Sequence, residues 1–485
     1  LQVRAAGSKL TAELHSMLNR PSHASINHVC EGTESMMFKS KFVDWDDVIA
    51  VDFTRTAESV QRRGVDLNII LEKDKMKTDL AALFLDRQAM LSDEESDRLI
   101  EDYNEDVELM EPFVLEGKRF NRLPPEEFGI FYSSDCYVFL CRYSVPPEGG
   151  DEVQSGEIQA EEAKTAGGGE EEAEANGSSG IGGAEADFQC VVYFWQGRDA
   201  SNMGWLMFTF SLLPKFKSLF KDKVDVVRTN QQQENQKFLS HFKKRFVIRQ
   251  GRRNLCLFPG FQNWPRLYQL RANGGSINSR TVQIDCDSSL LNSEFCSALT
   301  VPFNVPDENG HRGCIFLWIG SRTPASQVEL LADVADRRLN PAKWPVQRVR
   351  EGEEPELFWT SIGGRKPYEP NADFMRYSRL FRCTNEKGYF VVSEKTIDFC
   401  QDDLDDDDVM ILDNGDQIIM WVGSNASEVE VKLAFKAMQV YFQHLRLKQP
   451  DRPRKLAATV KGKEPKNFKK CFHAWAKHKH PAGEV

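Results

Sequence analysis

The sequence predicts an α/β (α+β) protein made of tandem copies of one module that contains both strands and helices. Residues 402–435 contain, in order, an aspartate cluster, two strand-like apolar runs, a turn and a helical pattern. An apolar strand followed by an aromatic strand ending in Trp-x-Gly occurs again at residues 133–197 and 293–320. Downstream of each Trp-x-Gly come a helix, a strand and an ending that closes on Phe. A repeat period of about a hundred residues or more indicates tandem domains, not a solenoid of short repeats.

The strands of the last module are VMIL and QIIMWV, which the turn sequence DNGD separates. The segment after them is predicted to be a helix, because its apolar residues follow a period near 3.6 residues. These residues are Val431, Ala434, Phe435 and Met438.

Three acidic residues of this module are expected to meet in space. Asp407 and Asp408 precede the first strand, and Glu430 lies at the start of the helix. Hard oxygen ligands held by a rigid strand and a helix suit calcium, which takes about six to eight oxygens. The alternative is that the aspartates only form a charged, solvated entrance to the strand.

The repeat also predicts the domain organisation. A fourth copy of the ending, EGTESMMFKSKFVDW, occurs near the start with no beginning before it, and the chain starts at Leu1, so we expect a piece of a longer protein. A charged stretch without the repeat signature is predicted to be a linker with helical pieces. The expected parts are the end of a preceding module (1–60), the linker (61–109) and three modules (110–254, 255–366 and 367–485).

Composition excludes several classes of protein. The 485 residues carry a net charge of −11, so direct binding of nucleic acid is not expected. The 11 cysteines include no CxxC pair, and several lie in apolar strands, which indicates reduced, buried thiols. No apolar run is long enough to cross a bilayer, and the first residues do not have the pattern expected of a signal peptide.

An acidic insert, residues 146–187, separates the two central strands of the first module. Glu, Gly, Ala and Ser dominate it and aromatic residues are absent, so it is predicted to be a disordered loop. Such a loop could bind basic partners or shield the module, and the simpler alternative is a tolerated surface insertion.

The helix after Trp195, residues 202–220, is more apolar than an ordinary surface helix. A large apolar face suggests a docking surface for another protein, although Met207, Phe210 and Leu213 could pack on the sheet. The helix could pack on the sheet and also bind another protein, because residues at spacings of three and four form a second face beside the first. That predicted face consists of Phe208, Ser211, Leu212 and Lys215.

The first module closes with HFKKRFVIRQGRRN, a basic stripe interleaved with apolar residues. The stripe could attract phosphoinositide head groups or acidic protein surfaces, or it could be a strand edge protected by charge. Its candidate residues are Lys243, Lys244, Arg245, Arg249, Arg252 and Arg253. The basic tail around His473, His478 and His480 is expected to be a surface patch and not a metal site.

The sequences LFRCTNEKGYF, DLDDDDVMILDNGDQIIMWVG, LYQLRANGG, LLNSEF and FYSSDCYVFLCRY resemble the last three domains of the gelsolin and villin superfamily. The resemblance implies a mixed sheet of five to six strands between a long and a short helix in each module. It also implies binding, capping and sometimes severing of actin, commonly under calcium control.

The family's intradomain calcium site takes a backbone carbonyl, an adjacent Asp and a Glu on the long helix. In the third module Asp407, Asp408 and Glu430 match, so the resemblance implies one calcium site there. The second module has Glu294 and Phe295, with Glu329 reaching the helix position only through an insertion, so its site is expected to be lost.

The first module keeps Ser134 and Asp135 but has Gly204 at the helix position, and losing a bidentate carboxylate weakens calcium binding. The family's second kind of site, shared with actin, needs acidic residues where this chain has Pro214 and Lys215, so calcium should not bridge an actin contact.

The resemblance therefore implies an actin-binding fragment that caps filament ends or holds monomers, largely independent of calcium and with weak or no severing. The alternative is a protein-interaction scaffold or transcriptional co-regulator on a degenerate fold. No motif pairs a nucleophile with a base, so an enzyme is not expected. The expected partners are actin, phosphoinositides and other proteins, and the expected locations are the cytoskeleton and the nucleus.

Overall fold

The computed structural model describes residues 78–145, 187–256, 264–386 and 388–476, which lie in one compact unit, Lys77–Val485. The predicted preceding module, the first part of the linker and almost all of the acidic insert lie outside the described residues. His478 and His480 also lie outside them.

The strands are β1 Val107–Glu116, β2 Arg119–Arg122, β3 Ile130–Tyr132, β4 Cys136–Val145, β5 Asp187–Gln196, β6 Val224–Asn230, β7 Val247–Arg249, β8 Arg266–Ala272, β9 Ser279–Ile284, β10 Cys296–Pro302, β11 Gly313–Ile319, β12 Val346–Arg350, β13 Arg379–Thr384, β14 Val391–Glu394, β15 Val409–Asp413, β16 Gln417–Val422 and β17 Lys455–Val460. The α-helices are α1 Asp93–Glu105, α2 Met203–Met207, α3 Leu213–Phe220, α4 Gln236–Ser240, α5 Arg253–Cys256, α6 Ala325–Val334, α7 Glu356–Ser361, α8 Asp373–Tyr377, α9 Glu428–Lys448 and α10 Lys466–Lys469. Two π-helical turns, Phe208–Leu212 and Ala335–Leu339, follow α2 and α6.

The same five-stranded order occurs in all three modules: β2-β1-β4-β5-β6, then β9-β8-β10-β11-β12, then β14-β13-β15-β16-β17. Within each of these five-strand sets the last pair is parallel and the other pairs are antiparallel. The predicted mixed sheet with flanking helices is therefore confirmed.

The register of the three sheets makes their residues directly comparable. In each sheet the Trp of Trp-x-Gly is paired with a residue of the neighbouring strand, and that residue is paired with one on the next strand, so that three residues form a row. Each indole Nε1 also donates to a Glu of its own module, at 2.7, 2.9 and 3.0 Å. The three rows are Trp195, Tyr137 and Val114; Trp318, Ser297 and Gln269; and Trp421, Met410 and Arg382.

The Gly of each Trp-x-Gly is required by a close backbone approach. A Cβ atom on Gly197, Gly320 or Gly423 would lie 2.2 to 2.4 Å from the carbonyl oxygen of a residue before the neighbouring strand. A side chain cannot occupy that space, so these glycines hold the strand entrance and the start of the helix together. The entrance is where the sequence places the candidate calcium ligands.

The first and second modules share a sheet, which the repeat did not predict. β7 pairs in parallel with β9 of the second module and with β3, so the second sheet has seven strands. The basic stripe therefore passes through the interior of a sheet and is not a strand edge. Val247 and Ile248 are buried there, and the predicted boundary at 254/255 does not divide the sheets.

The end of the predicted linker packs against the third module as a strap, residues 79–88. Asp79 forms a parallel bridge with Val391 at the sheet edge, and Leu83 is fully buried in that module's core. Arg87 donates to the carbonyl of Met375 at 2.9 Å. α1 then begins with a capping box in which Ser92 and Glu95 bond reciprocally.

A buried ion cluster joins all three modules. Arg280 of the second module donates to Glu234 of the first at 2.7 Å and to Asp398 of the third at 2.6 Å. Burial raises the pKa of Asp398 to about 6, while the Arg280 charge opposes that shift. Because breaking such a cluster would leave uncompensated buried charge, it holds the modules in one arrangement.

Candidate functional site

The third module places its two candidate carboxylates at the entrance to the sheet. Asp408 directly precedes β15 and is buried, and its carbonyl accepts the Gly423 N–H at 3.1 Å. Glu430 is the third residue of α9 and is also buried. The exposed Asp407 carboxylate accepts from Asn425 Nδ2 at 3.0 Å.

Glu430 caps its own helix. Its Oε2 accepts the Ser427 N–H and hydroxyl at 3.1 and 2.8 Å, and its Oε1 accepts the Asn385 N–H at 2.9 Å. The sequence Ser-x-x-Glu predicts such a capping box, so this acidic residue has a structural reason to be there besides any ion.

Asp408 is paired with an arginine that the sequence analysis missed. Arg382 Nε donates to Asp408 Oδ2, and Arg382 Nη2 donates to Glu386 at 3.2 Å. The bond to Asp408 raises the pKa of Arg382. A basic residue inside the otherwise apolar start of LFRCTNEKGYF was the available signal.

The donor set of the third module suits calcium in type, because two carboxylates and the Asp407 carbonyl are hard oxygen ligands. Within the described residues, no group of three or more His, Cys, Asp or Glu side chains is arranged to hold a metal ion. The calcium site, to which Asp407 would contribute its carbonyl, stays a prediction.

The first module has no space for a ligand side chain at Gly204, the position that corresponds to Glu430. A Cβ atom on Gly204 would lie 2.5 Å from Cys136 Sγ, so the helix rests directly on the strand. Asp135 remains, but its Oδ2 accepts the Arg253 N–H at 2.7 Å, and burial raises the pKa of this carboxyl group. The helix Glu that the sequence lacks would have no room there.

In the second module an aromatic ring, that of Phe295, occupies the position that corresponds to Asp408. Phe295 is buried and contacts Phe374 of the third module, with ring centroids 6.4 Å apart. Gln327, seven residues after Gly320, takes the helix position, and its carbonyl accepts from Cys296 Sγ at 3.5 Å.

Glu329 does not reach the position that an insertion would have given it. It lies on the exposed side of α6 and bonds to Arg348 of β12 at 2.8 Å. Glu294, the other carboxylate of this module, bonds to Arg376 at 3.2 Å. The second module therefore offers a cation no equivalent pair of carboxylates.

The structure corrects the predicted protein-binding face of the first-module helix. Phe208 is fully buried and contacts Phe194 and Phe120 of the sheet, so it cannot contact a partner. Phe210, which could have packed on the sheet, is instead 80% exposed. The π-helical turn Phe208–Leu212 adds a residue to one turn and shifts the faces that a regular helix would present.

The other predicted face residues are divided between surface and core. Ser211 and Lys215 are exposed, whereas Leu212 is half-buried and packs against the core of the sheet. Ser211 Oγ donates to the Met207 carbonyl at 2.5 Å. The exposed helix surface is defined here as Met203, Leu206, Phe210, Ser211, Lys215 and Leu219.

Most residues of the basic stripe, the predicted phosphoinositide or acidic-partner patch, are bonded within the chain. Lys244 pairs with Asp97 at 2.6 Å, Arg245 pairs with Asp333, and Arg249 donates to the Arg338 carbonyl at 2.9 Å. Arg253 pairs with Glu127 at 2.5 Å and with Glu116. Lys243 and Arg252 are the two exposed members, so most of the positive charge is used within the chain.

His473, the described histidine of the basic tail, does not lie in the surface patch that was expected. His473 is buried, and its Nε2 lies 3.2 Å from the Gln269 carbonyl of the second module. Gln232 of the first module donates to the His473 carbonyl at 2.9 Å. Burial lowers the pKa of His473 well below its ordinary value, so this part of the tail is an inter-module contact.

Comparisons with known proteins place these observations in a family context. Residues 390–469 match the gelsolin repeat. The chain is 52% identical over 485 residues to "Protein flightless-1 homolog" of Caenorhabditis elegans, with 99% of this chain and 37% of that protein covered. It is 52% identical over 493 residues to "Protein flightless-1 homolog" of Homo sapiens, with 98% and 37% covered.

More distant likeness extends to the villins. Advillin of Mus musculus is 27% identical over 487 residues, with 99% of this chain and 50% of that protein covered. A solved structure titled "Crystal Structure of the Thorarchaeota 2DGel3/rabbit actin complex" matches 43% of this chain at 20% identity, with 99% of its own chain covered. Its TM-score of 0.18 is too low to support a conclusion.

The chain spans about 37% of the length of these flightless-1 relatives. Within the residues described, no helix has both the length and the apolar character needed to cross a bilayer.

Proposed function

Because this chain contains a gelsolin repeat and resembles the flightless-1 proteins over nearly its whole length, we propose that it binds actin. In this proposal it caps filament ends or holds monomers, acts largely without calcium and severs weakly or not at all. A protein with this activity would work at the cytoskeleton.

The observation that supports the proposal most directly is the exposed helix surface of the first module. Phe210 and Leu219 are 80% and 72% exposed, and Met203 and Leu206 are also exposed. Apolar side chains grouped on one helix favour a partner with a hydrophobic groove. Lys215 is also exposed on this helix, and its positive charge would suit acidic residues at the rim of the partner's groove.

The calcium part of the proposal follows from comparing the three modules. Asp408, Glu430 and the Asp407 carbonyl would hold one ion, which would supply a positive charge between the strand entrance and the helix. The first and second modules have Gly204 and Phe295 where a ligand is needed. A ligand shifts a conformational balance only by its differential affinity, so one site gives a weak switch.

We do not extend the proposal to phosphoinositides, because four of the six residues of the stripe are bonded within the chain. A scaffold or transcriptional co-regulator remains an outcome of the test below. That class of function would survive changes to the exposed helix surface.

Pyrene-actin elongation from seeds and co-sedimentation, each with and without EGTA, test the proposal. Phe210→Asp should weaken actin binding about tenfold or more, because it places a charge in the apolar contact. Leu447→Asp is the matched control, since Leu447 is 86% exposed on a helix of the third module. Actin binding by the wild-type chain should change less than about tenfold on chelation.

Equal actin binding by the Phe210→Asp and Leu447→Asp variants would remove the helix surface from the proposal. Loss of wild-type binding in EGTA by more than about tenfold would contradict calcium independence. No effect of the wild-type chain on elongation, together with no co-sedimentation, would favour the scaffold.

A further inference from the structure

We infer that Arg382 is a tethered cation that competes with calcium for Asp408 and thereby sets the ion affinity of the third module. The inference rests on the calcium part of the proposed function and adds a residue that weakens the site. In this inference, Arg382 lowers the calcium affinity of the third module, in addition to the loss of ligands in the first and second modules.

The contacts support a direct competition. Arg382 Nε donates to Oδ2 of Asp408, and the Asp408 side chain is only 2% exposed. A buried carboxylate needs a compensating charge or hydrogen bonds. Arg382 meets that need without an ion, so a calcium ion that binds Asp408 must displace the guanidinium group or share the oxygen with it.

Asp408 and Glu430 lie close enough to act on a common neighbour. Arg382 Nε, on β13, donates to Asp408, and the N–H of Asn385, the residue after β13, donates to Glu430 Oε1 at 2.9 Å. Both carboxylates therefore bond to the same end of β13.

The other two modules show that this position does not need a cation for folding. The residue in register with Arg382 is Val114 in the first module and Gln269 in the second. Those modules have a closed helix contact at Gly204 and a buried ring at Phe295. The cation is present in the module that keeps both carboxylates.

Arg382 also has a second partner that would receive it on displacement. Its Nη2 already donates to Glu386 at 3.2 Å, and the Glu386 side chain is 71% exposed. The Arg382 side chain is 30% exposed, so its guanidinium group can turn toward Glu386 and water without breaking the core. Competition of this kind reduces calcium affinity but does not abolish it.

Isothermal titration of the whole chain with calcium tests the inference. Arg382→Met keeps the length and apolar stem of the side chain and removes its charge, so calcium affinity should rise about tenfold or more. Lys432→Met is the matched control. Lys432 is two residues from Glu430 and pairs with exposed Glu428 at 3.6 Å, so its loss should change affinity less than about threefold.

Adding Asp408→Asn to Arg382→Met should abolish the gained affinity, which locates the ion at these carboxylates. Calcium should also raise the melting temperature of Arg382→Met more than that of the wild-type chain. Equal affinity of wild type and Arg382→Met would overturn the inference and leave the site itself standing. Absence of binding by both chains would overturn the calcium site as well, without affecting the actin proposal.

Discussion

The first and third modules share a backbone at the strand entrance but differ in what they place there. In the first module the helix rests on Cys136 through Gly204, and Asp135 accepts a main-chain N–H. In the third, Glu430 caps the helix and Asp408 faces the cation Arg382. The Trp-x-Gly contact has the same register in both modules. The residues beside it, at the strand entrance and on the helix, differ in charge.

In our proposal, the two modules weaken calcium binding in different ways. The first module has Gly204 and no space for a carboxylate, whereas the third has both candidate carboxylates and the cation Arg382 beside one of them. The first change is steric and the second is electrostatic. Only the second can be reversed by removing one charged side chain.

The largest expected effect comes from placing the third module's Glu in the first. Gly204→Glu would bring a Cβ atom to 2.5 Å from Cys136 Sγ and bury a carboxylate, so we expect a loss of about 3 kcal/mol of unfolding free energy. Urea denaturation measures it. Ser201→Glu, at an exposed position three residues earlier, is the control. Wild-type stability together with new calcium binding would show that the two entrances are interchangeable.

A smaller effect comes from neutralising the equivalent aspartates. Asp408→Asn removes a charged bond to Arg382 and should cost about 2 kcal/mol in the absence of calcium. Asp135→Asn should cost less than about 0.5 kcal/mol, because burial already raises the pKa of Asp135 and its amide oxygen can still accept the Arg253 N–H. Urea midpoints of both variants at neutral pH measure the difference. Equal costs would mean that the two aspartates are held alike.

The smallest effect concerns two buried histidines, His241 of the first module and His473 of the third. Burial lowers the pKa of His241 to about 4 and that of His473 well below its ordinary value. The unfolded chain therefore binds more protons, and each histidine contributes stability that is lost as pH falls below the unfolded pKa of about 6.5. Acidification from about pH 7.5 to 5.5 should remove about 1 kcal/mol per histidine.

Melting temperatures of the wild type, His241→Gln and His473→Gln across that range measure this dependence. Each substitution should reduce the pH dependence. Asp398 contributes the opposite sign below its pKa of about 6, because the folded state then binds the extra proton. A melting temperature that rises on acidification would show that the carboxylate outweighs the histidines.

Local patterns were enough to predict the repeated unit of the fold. The strand runs and the repeated Trp-x-Gly are short-range signals, and the structure shows the close backbone approach that each of these glycines allows. The mixed sheet and its flanking helices followed from the resemblance. Positions of the candidate ligands could be compared between modules because strand register fixes them.

The errors arose where packing between distant segments decides the outcome. The phase of the first-module helix was wrong for Phe208 and Phe210 because a tertiary contact sets it. Gly204 rests on Cys136 of the sheet, and Phe208 lies one turn further on the same face. The charges of Arg245 and Arg253 were assigned to solvent, but their partners are far away in sequence. His473 was placed on the surface because a basic neighbourhood gives no sign of a contact with another module.

The shared seven-stranded sheet means that the units of sequence duplication are not the units that can move. Since β3 and β7 belong to the second sheet, pulling the first two repeats apart would require breaking rows of main-chain hydrogen bonds. A cut in the peptide chain after residue 256 would leave both pieces held together by strand pairing. The first two repeats therefore move as one body, and the third repeat could shift against them only if the bond from Arg280 to Asp398 breaks.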